Sequence, residues 1–424
     1  MKYSKKVLNN GLRIITIPEK DTLAVTILVL VEAGSKYENK DNNGISHFLE
    51  HMCFKGTKSR PKAIDISSEL DSLGAQYNAF TGHEFTGYYA KVASTYFDKA
   101  LDIVSDLYLN PVFDSIEIEK EKGVIAEEIN MYEDLPQHKA QDLIMEVLYG
   151  DQPAGWNIAG KKEVIKTFNK DKFLEYRGKH YVSSATTVVI AGNFDEKKAI
   201  EEIEKKFKDI HNSPKDKKKK VDDTQTSSAS LIKKKESDQT HLVVSVRTFD
   251  ANSEKNYTMD VISWILGGGM SSRLFQRVRE ELGAAYYIRA SNNYFTDHGF
   301  LEASAGADNK RAKDVVSAIL EEFKKLTSEK VPEKELFKVK ESIIGNTFLS
   351  LETSDSVANF FGSQEVIRGK IIKPDEYAEK IRKVTAEDVL QVSREIFKKE
   401  HLNLAMIGPY KEDSEEFSKI LELW

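Results

Sequence analysis

Two stretches of this chain are replayed about two hundred residues later. Leu73-Gly74-Ala75-Gln76-Tyr77 has a counterpart in Leu282-Gly283-Ala284-Ala285-Tyr286, and Asp102-Ile103-Val104-Ser105 has one in Asp314-Val315-Val316-Ser317. The offsets are 209 (282 minus 73) and 212 (314 minus 102). The closing run Ile190-Ala191-Gly192 resembles Met406-Ile407-Gly408 in the same order. Each match is short, but common order and a near-constant offset favour a duplicated domain over coincidence. The fold must then be one architecture built twice.

The first copy reads as strands and helices in a mixed order. A hairpin-like pair, residues 11–18 and 23–33, leads into a helix near residue 50. Helical periodicity follows at 62–73, 96–109, 115–134 and 137–148, with strands at 75–80 and 87–92 and a closing strand at 186–191. This order predicts an α+β fold in which helices pack on a largely antiparallel sheet. Residues 212–240 lose apolar periodicity, and their run Lys217-Lys218-Lys219-Lys220 is more simply solvated than a binding patch. We therefore expect an N-terminal domain at 1–211, a polar linker at 212–240 and a homologous C-terminal domain at 241–424.

The segment around residue 50 carries chemistry. In Gly44-Ile45-Ser46-His47-Phe48-Leu49-Glu50-His51-Met52-Cys53-Phe54-Lys55-Gly56-Thr57, two histidines stand four apart. At roughly 100° per residue they share one helix face and can aim at a single cation. Glu50 falls on the edge of that face, where it can serve as a general base without ligating. With nine histidines in 424 residues, His-x-x-Glu-His arises by chance in only about 0.02 of such chains. Phe48, Leu49, Met52 and Phe54 supply an apolar stripe to bury the helix, and Gly56 can end it. Cys53, rotated roughly 200° from His51, should face the core as an inert thiol.

A catalytic zinc usually takes three protein ligands, so the histidine pair predicts a third donor elsewhere. In the helical stretch 119–131, Glu121 and Glu128 lie seven apart, two turns along one face, while Glu127 reads as part of a solvated face. Here the chain resembles the inverted-motif zinc metallopeptidases, the family of pitrilysin, insulin-degrading enzyme and mitochondrial processing peptidase. It is similar above all to the small bacterial members, over nearly its whole length. His-Phe-Leu-Glu-His-Met-x-Phe-Lys-Gly-Thr at 47–57 and Glu-x-x-Val-Ile-x-Glu-Glu-Ile at 121–129 carry the resemblance. The 77 residues from His51 to Glu128 (128 minus 51) suit it.

The resemblance implies one Zn2+ per chain held by His47, His51 and Glu128, with Glu127 as the off-by-one alternative. It implies Glu121 as a carboxylate orienting a ligand histidine, and Glu50 as the base that activates water. Tyr77, Asn78, Ala79, Phe80 and Thr81 resemble the family's edge strand, onto which a peptide substrate adds through main-chain hydrogen bonds. Phe80 and the following Thr81-Gly82-His83-Glu84 would line the peptide chamber, with His83 outside the ligand set. Arg279 and Tyr286, seven apart around a Leu-Gly turn, look like the pair that stabilises the oxyanion. Each domain would form part of a clamshell, two domains making half the chamber. Both residue sets lie on this two-domain chain, which implies a homodimer with composite active sites.

The second copy offers a comparison. Aligning Phe54-Lys55-Gly56 with Ile265-Leu266-Gly267 places Thr258, Val261 and Ile262 where the first half has His47, Glu50 and His51. Histidines that served only to pack a helix could have been kept there, so one metal site per chain is expected. Gly267-Gly268-Gly269 lacks the Gly-Lys-Ser/Thr ending of a phosphate loop and is accounted for by a turn that brings backbones close. By the resemblance it matches the glycine-bearing loop of processing-peptidase subunits.

Composition restricts the remaining classes. A formal net charge of -6 gives no general affinity for nucleic acid. The apolar run 23–31 is too short to span a bilayer, and residues 1–11 lack the apolar core of a secretory signal. A single cysteine excludes an intramolecular disulfide. A cytoplasmic zinc endopeptidase is the expectation. Its rivals are a noncatalytic peptide-binding or scaffold subunit of the same fold and one half of an obligate heterodimer.

Overall fold

The computed structural model describes every residue except 413, 423 and 424. Eleven strands are formed by described residues: β1 Ser4–Val7, β2 Arg13–Pro18, β3 Ala24–Val31, β4 Gln76–Thr81, β5 Thr86–Ala93, β6 Thr186–Gly192, β7 Ala229–Lys234, β8 Gln239–Thr248, β9 Ala285–Tyr294, β10 Gly299–Asp308 and β11 Leu402–Gly408. They make two sheets, ordered β1-β2-β6-β3-β5-β4 and β7-β11-β8-β10-β9. Apart from the extra β1, the two orders superimpose strand for strand. In each, one pair is parallel, β2 with β6 and β7 with β11, and the others are antiparallel. The fold is thus two α+β copies of one topology, as the internal repeats require.

The helices predicted from periodicity are present at Ala63–Ser72, Phe97–Leu109, Ser115–Asp134 and Pro136–Tyr149. One local reading is corrected. β2 and β3 do not form a hairpin, because β6 lies between them. All seven residues of β6 are buried. An apolar run of that kind needs a partner on both edges, so it takes the centre of the sheet rather than closing its side.

Each sheet is covered on both faces. In the first compact unit, comprising Met1–Ile129, Asn157–Lys219 and Phe348–Ile372, one face packs Ile27, Val29, Tyr88 and Val188 against Phe48, Leu49, Met52 and Leu101. The other face packs Ile15, Leu28, Leu30 and Val189 against Val357, Ala358 and Phe361 of the helix Ser354–Arg368. The second unit comprises Asn130–Trp156, Lys220–Thr347 and the described residues of Lys373–Trp424. One face of its sheet packs Leu242, Val244 and Leu301 against Ile262 and Ile319. The other packs Val243, Ala405 and Ile407 against Leu143, Ile144 and Leu148 of the helix Pro136–Tyr149. Each sheet therefore draws one covering helix from the opposite half of the sequence, which a division at 212–240 does not anticipate.

The segment 212–240 also differs from a solvated linker. Its far part supplies β7, whose pairing with β11 gives that strand a second neighbour. Its near part is tied down by ion pairs to buried carboxylates, Lys215 Nζ to Glu32 Oε2 at 2.5 Å and Lys218 Nζ to Glu84 Oε1 at 3.2 Å. Acidic partners distant in sequence, not local periodicity, order this stretch.

The glycine run in the second half is a packing device. Gly267 ends the helix Asn256–Gly267, and a Cβ there would overlap the backbone nitrogen of Ala290 in β9; at Gly268 it would meet the Trp264 ring. No helix among the described residues is long and apolar enough to cross a membrane. Replacing Gly267 by Ala is expected to cost about 1–3 kcal/mol by forcing helix and strand apart. Urea unfolding should show this loss, whereas Gly269→Ala, with open space around it, should lie near wild type.

Candidate metal centre

The helix Ile45–Cys53 forms because Ile45, Phe48, Leu49, Met52 and Cys53 make a buried stripe. Its start is set by Gly44, whose φ of 97° suits glycine. Gly44 has no side chain to cap the helix, so the cap comes from Glu38. That buried carboxylate accepts hydrogen bonds from the N–H groups of Gly44 and Ser46, each at 2.8 Å, and from Asn43 Nδ2 at 3.0 Å. A negative group at a helix N-terminus also suits the macrodipole. Burial pushes the Glu38 pKa up, and these donors pull it back.

The second helix, Ser115–Asp134, buries Ile118, Glu121 and Ile125, and Glu128 continues this row with the same spacing. Main-chain hydrogen bonds fix where it begins relative to the first. Val112 N–H donates to Gly56 O and Lys58 N–H to Asn110 O, both at 3.1 Å. The loop leaving the histidine helix is therefore stitched to the segment entering the glutamate helix.

Three donor atoms converge as a result. His47 Nε2 and His51 Nε2 stand 3.2 Å apart, and Glu128 Oε2 lies 3.7 Å from the first and 3.4 Å from the second. Around a tetrahedral zinc with bonds of about 2.0–2.1 Å, neighbouring donors are separated by about 3.3–3.4 Å. The triangle fits such an ion. Among the described residues it is the one group of three or more His, Cys, Asp or Glu side chains able to hold a metal. Glu127 is exposed and outside it.

The surroundings match this purpose. Burial, with the neighbouring His51, lowers the His47 pKa to about 4, so its imidazole is neutral and free to ligate. His51 Nδ1 donates to Glu121 Oε1 at 2.8 Å, which leaves the Nε2 lone pair facing the triangle. Burial pulls His51 down, but the Glu121 hydrogen bond and the charges of Glu128 and Glu50 outweigh it and leave its pKa raised. Glu121 itself is buried, yet the hydrogen bonds from His51 and Lys55 hold its pKa low. The Lys55 Nζ stands 2.7 Å from Glu121 Oε2. His47 Nδ1 has no hydrogen-bond partner among the described residues, so no carboxylate fixes this ring from behind as Glu121 does for His51.

Glu50 sits beside the triangle, its Oε2 accepting a hydrogen bond of 2.5 Å from Thr81 Oγ1. Burial raises its pKa, while Thr81 and His51 oppose the rise. A carboxylate shifted upward in this way is better matched to accepting a proton than an exposed one. Cys53 is buried beneath the helix, 3.5 Å from the Tyr88 hydroxyl, and burial pushes its pKa to about 12.

The other expected residues fall in two places. Tyr77, Asn78, Ala79, Phe80 and Thr81 form most of β4, an edge strand paired only with β5. Ala79 N–H donates to the Asn78 side chain at 2.9 Å rather than to a strand. Tyr77 and Ala79 pack on the side of the histidine helix. Phe80 does not line that side: it packs against the opposite face with Phe85, by strand alternation. His83 bonds Ser35 Oγ through Nδ1 at 2.9 Å and stays out of the triangle. In the second unit, Arg279 and Tyr286 are both exposed and meet each other, the guanidinium 5.8 Å from the ring centroid. Arg279 lies in a π-helix, Phe275–Glu281. At the positions aligned with His47, Glu50 and His51, Thr258, Val261 and Ile262 are buried in the second core.

Sequence reasoning assigned no role to Lys55 or Glu38. The basic charge four residues after His51 was a signal for the first. A remote cap has none.

The model described as insulinase, peptidase family M16, matches residues 13–162, and that described as the peptidase M16 inactive domain matches residues 167–343. A Bacillus subtilis protein named as the uncharacterized zinc protease YmxG is 35% identical, over 94% of this chain and 97% of its own. An uncharacterized zinc protease of Rickettsia bellii is also 35% identical, over 96% and 98%. The crystal structure of a protease from Helicobacter pylori superimposes with a TM-score of 0.90 at 22% identity, covering 96% of this chain and all of that one.

A zinc ion held by this triangle would compete with protons for His51, whose raised pKa makes the competition begin above the usual imidazole value of 6.5. Zinc affinity is expected to fall as pH drops through that region. Glu121→Gln should weaken zinc about 10–100-fold at high pH and move the onset of proton competition lower, both readable by calorimetric titration across pH.

Proposed function

Because the chain belongs to the insulinase-type peptidases of family M16, we propose that it is a zinc-dependent endopeptidase acting on unfolded peptides and presequence-like segments. The observation that carries this reading is the donor triangle of His47, His51 and Glu128 with Glu50 beside it. These three residues would hold one zinc per chain. When bound, zinc supplies a Lewis acid that polarises the scissile carbonyl and makes water easier to deprotonate.

Glu50 takes the proton from the attacking water and passes it to the leaving amine, so the base ends the cycle as it began. Glu121 keeps His51 in the tautomer that ligates, with Lys55 holding Glu121 ionised. Arg279 and Tyr286 donate hydrogen bonds to the carbonyl oxygen as it becomes negative. The open edge of β4, from Tyr77 to Thr81, receives the substrate main chain as an added strand. Recognition through backbone tolerates many sequences, which suits a peptidase of unfolded segments.

The assembly we propose is a homodimer in which Arg279 and Tyr286 of one subunit complete the metal centre of the other. The alternative reading is a noncatalytic peptide-binding or scaffold subunit. The intact set of ligands, base and orienting carboxylate speaks against it.

Zinc content and cleavage of a quenched peptide library, with and without chelator, decide between the readings. Glu50→Gln is expected to retain zinc and lose at least about a hundredfold in turnover, while His47→Ala loses both. Normal cleavage by zinc-replete Glu50→Gln protein would refute the base assignment. For the shared site, mixing inactive Glu50→Gln chains with inactive Arg279→Ala chains should restore part of the activity. No recovery after verified subunit exchange would exclude it.

A further inference from the structure

Thr81 occupies a position no other residue of the centre shares. It is the last residue of β4 and hydrogen-bonds the carboxylate of Glu50 at 2.5 Å. Among the described residues Thr81 is the one side chain that hydrogen-bonds the Glu50 carboxylate. A glutamate has three rotatable side-chain bonds, and freezing a long side chain costs about 1–2 kcal/mol of rotamer entropy. One short hydrogen bond to an ionised group is sufficient to offset this.

The donor is itself fixed. The turn after Thr81 is bound on several sides: Gly82 N–H donates to Phe85 O at 2.9 Å, Ser35 N–H to Gly82 O at 3.3 Å and Lys36 N–H to His83 O at 2.8 Å. Beyond it, Glu84 is buried against Lys36 Nζ at 2.8 Å and Lys218 Nζ at 3.2 Å. On its other side Thr81 pairs with Thr86 of β5, whose hydroxyl donates to Ala33 O at 2.9 Å. Thr81 thus presents its hydroxyl from a rigid frame, as a group that positions a reactive neighbour must.

From this juxtaposition we propose that Thr81 is a positioning residue for Glu50, coupling the strand that receives the peptide to the group that moves the proton. The inference rests on the peptidase reading above. It assigns Thr81 a role through its side chain, separate from the main-chain contacts it shares with Tyr77 to Phe80. A peptide seated on β4 is then in register with the base because one residue belongs to both.

Full-length Thr81→Val and Thr81→Ser chains test it with a quenched-fluorescence peptide and zinc analysis. Valine keeps the shape and strand preference but cannot donate; serine keeps the hydroxyl. Thr81→Val is expected to retain stoichiometric zinc and an unchanged KM, with kcat reduced about 10–100-fold, the range of a hydrogen bond to a charged group. Thr81→Ser should recover most of kcat. In the Glu50→Gln background, Thr81→Val should leave the anisotropy-measured Kd for the same peptide unchanged. Wild-type kcat in Thr81→Val, equal impairment in Thr81→Ser, or a change in KM and Kd alone would each overturn the proposal. If zinc-loaded wild type cleaves no peptide, the peptidase reading fails instead. The positioning claim then stands or falls on a crystal structure of Thr81→Val: a displaced Glu50 carboxylate supports it, and an unmoved one sinks it.

Discussion

The 2.8 Å hydrogen bond from His51 to Glu121 joins two helices whose residues are 70 apart in sequence. The donor triangle depends on it. His47 and His51 share one helix, but a pair of imidazoles holds a cation loosely and in no defined geometry. Glu128 closes the site only if its helix arrives at the correct height and rotation, and Glu121, two turns away on the same face, sets both. The pairing is secured further by the main-chain stitches between residues 56–58 and 110–112 and by Lys55, which keeps the buried Glu121 charged. Removing one partner from such a buried charged pair is far more costly than the pair is stabilising. Structural and chemical roles therefore cannot be separated at Glu121.

Much of this was legible beforehand because its signals are local. Four-residue spacing on a helix makes His47 and His51 neighbours whatever the fold, and seven-residue spacing does the same for Glu121 and Glu128. Strand-forming runs such as 87–92 read directly as strands. What stayed hidden depended on partners distant in the chain. The separation of β2 from β3 by β6 follows from which strands need two neighbours, a property of the whole sheet. Lys217, Lys219 and Lys220 are exposed as expected, but the pairing of Lys215 and Lys218 was hidden because Glu32 and Glu84 lie well over a hundred residues away. Phe80 packs on the face away from the histidine helix because side chains alternate along β4, which a resemblance in strand position does not specify. Thr81, expected to contribute its backbone, also hydrogen-bonds Glu50 through its hydroxyl.

The two halves show how a duplicated scaffold diverges. Both keep the same strand order, and both keep the helix that packs near the start of the sheet. In the first copy that helix exposes polar atoms toward a second helix. In the second copy Thr258, Val261 and Ile262 occupy the same positions and are buried. At the strand equivalent to β4, that half instead carries the exposed Tyr286 of β9, with Arg279 of a π-helix beside it. Such extra-residue turns commonly mark sites where a side chain has been re-aimed.

Reciprocal helix exchange between the halves has a consequence for how this protein could be divided. Severing the main chain between Lys219 and Ala229 would leave the sheet in each fragment with an apolar face stripped bare, since its cover travels with the other piece. Fragments of that kind should stay associated after a protease nick and should aggregate when synthesised separately. A duplicated gene locked in this manner resists later fission into two independently inherited parts.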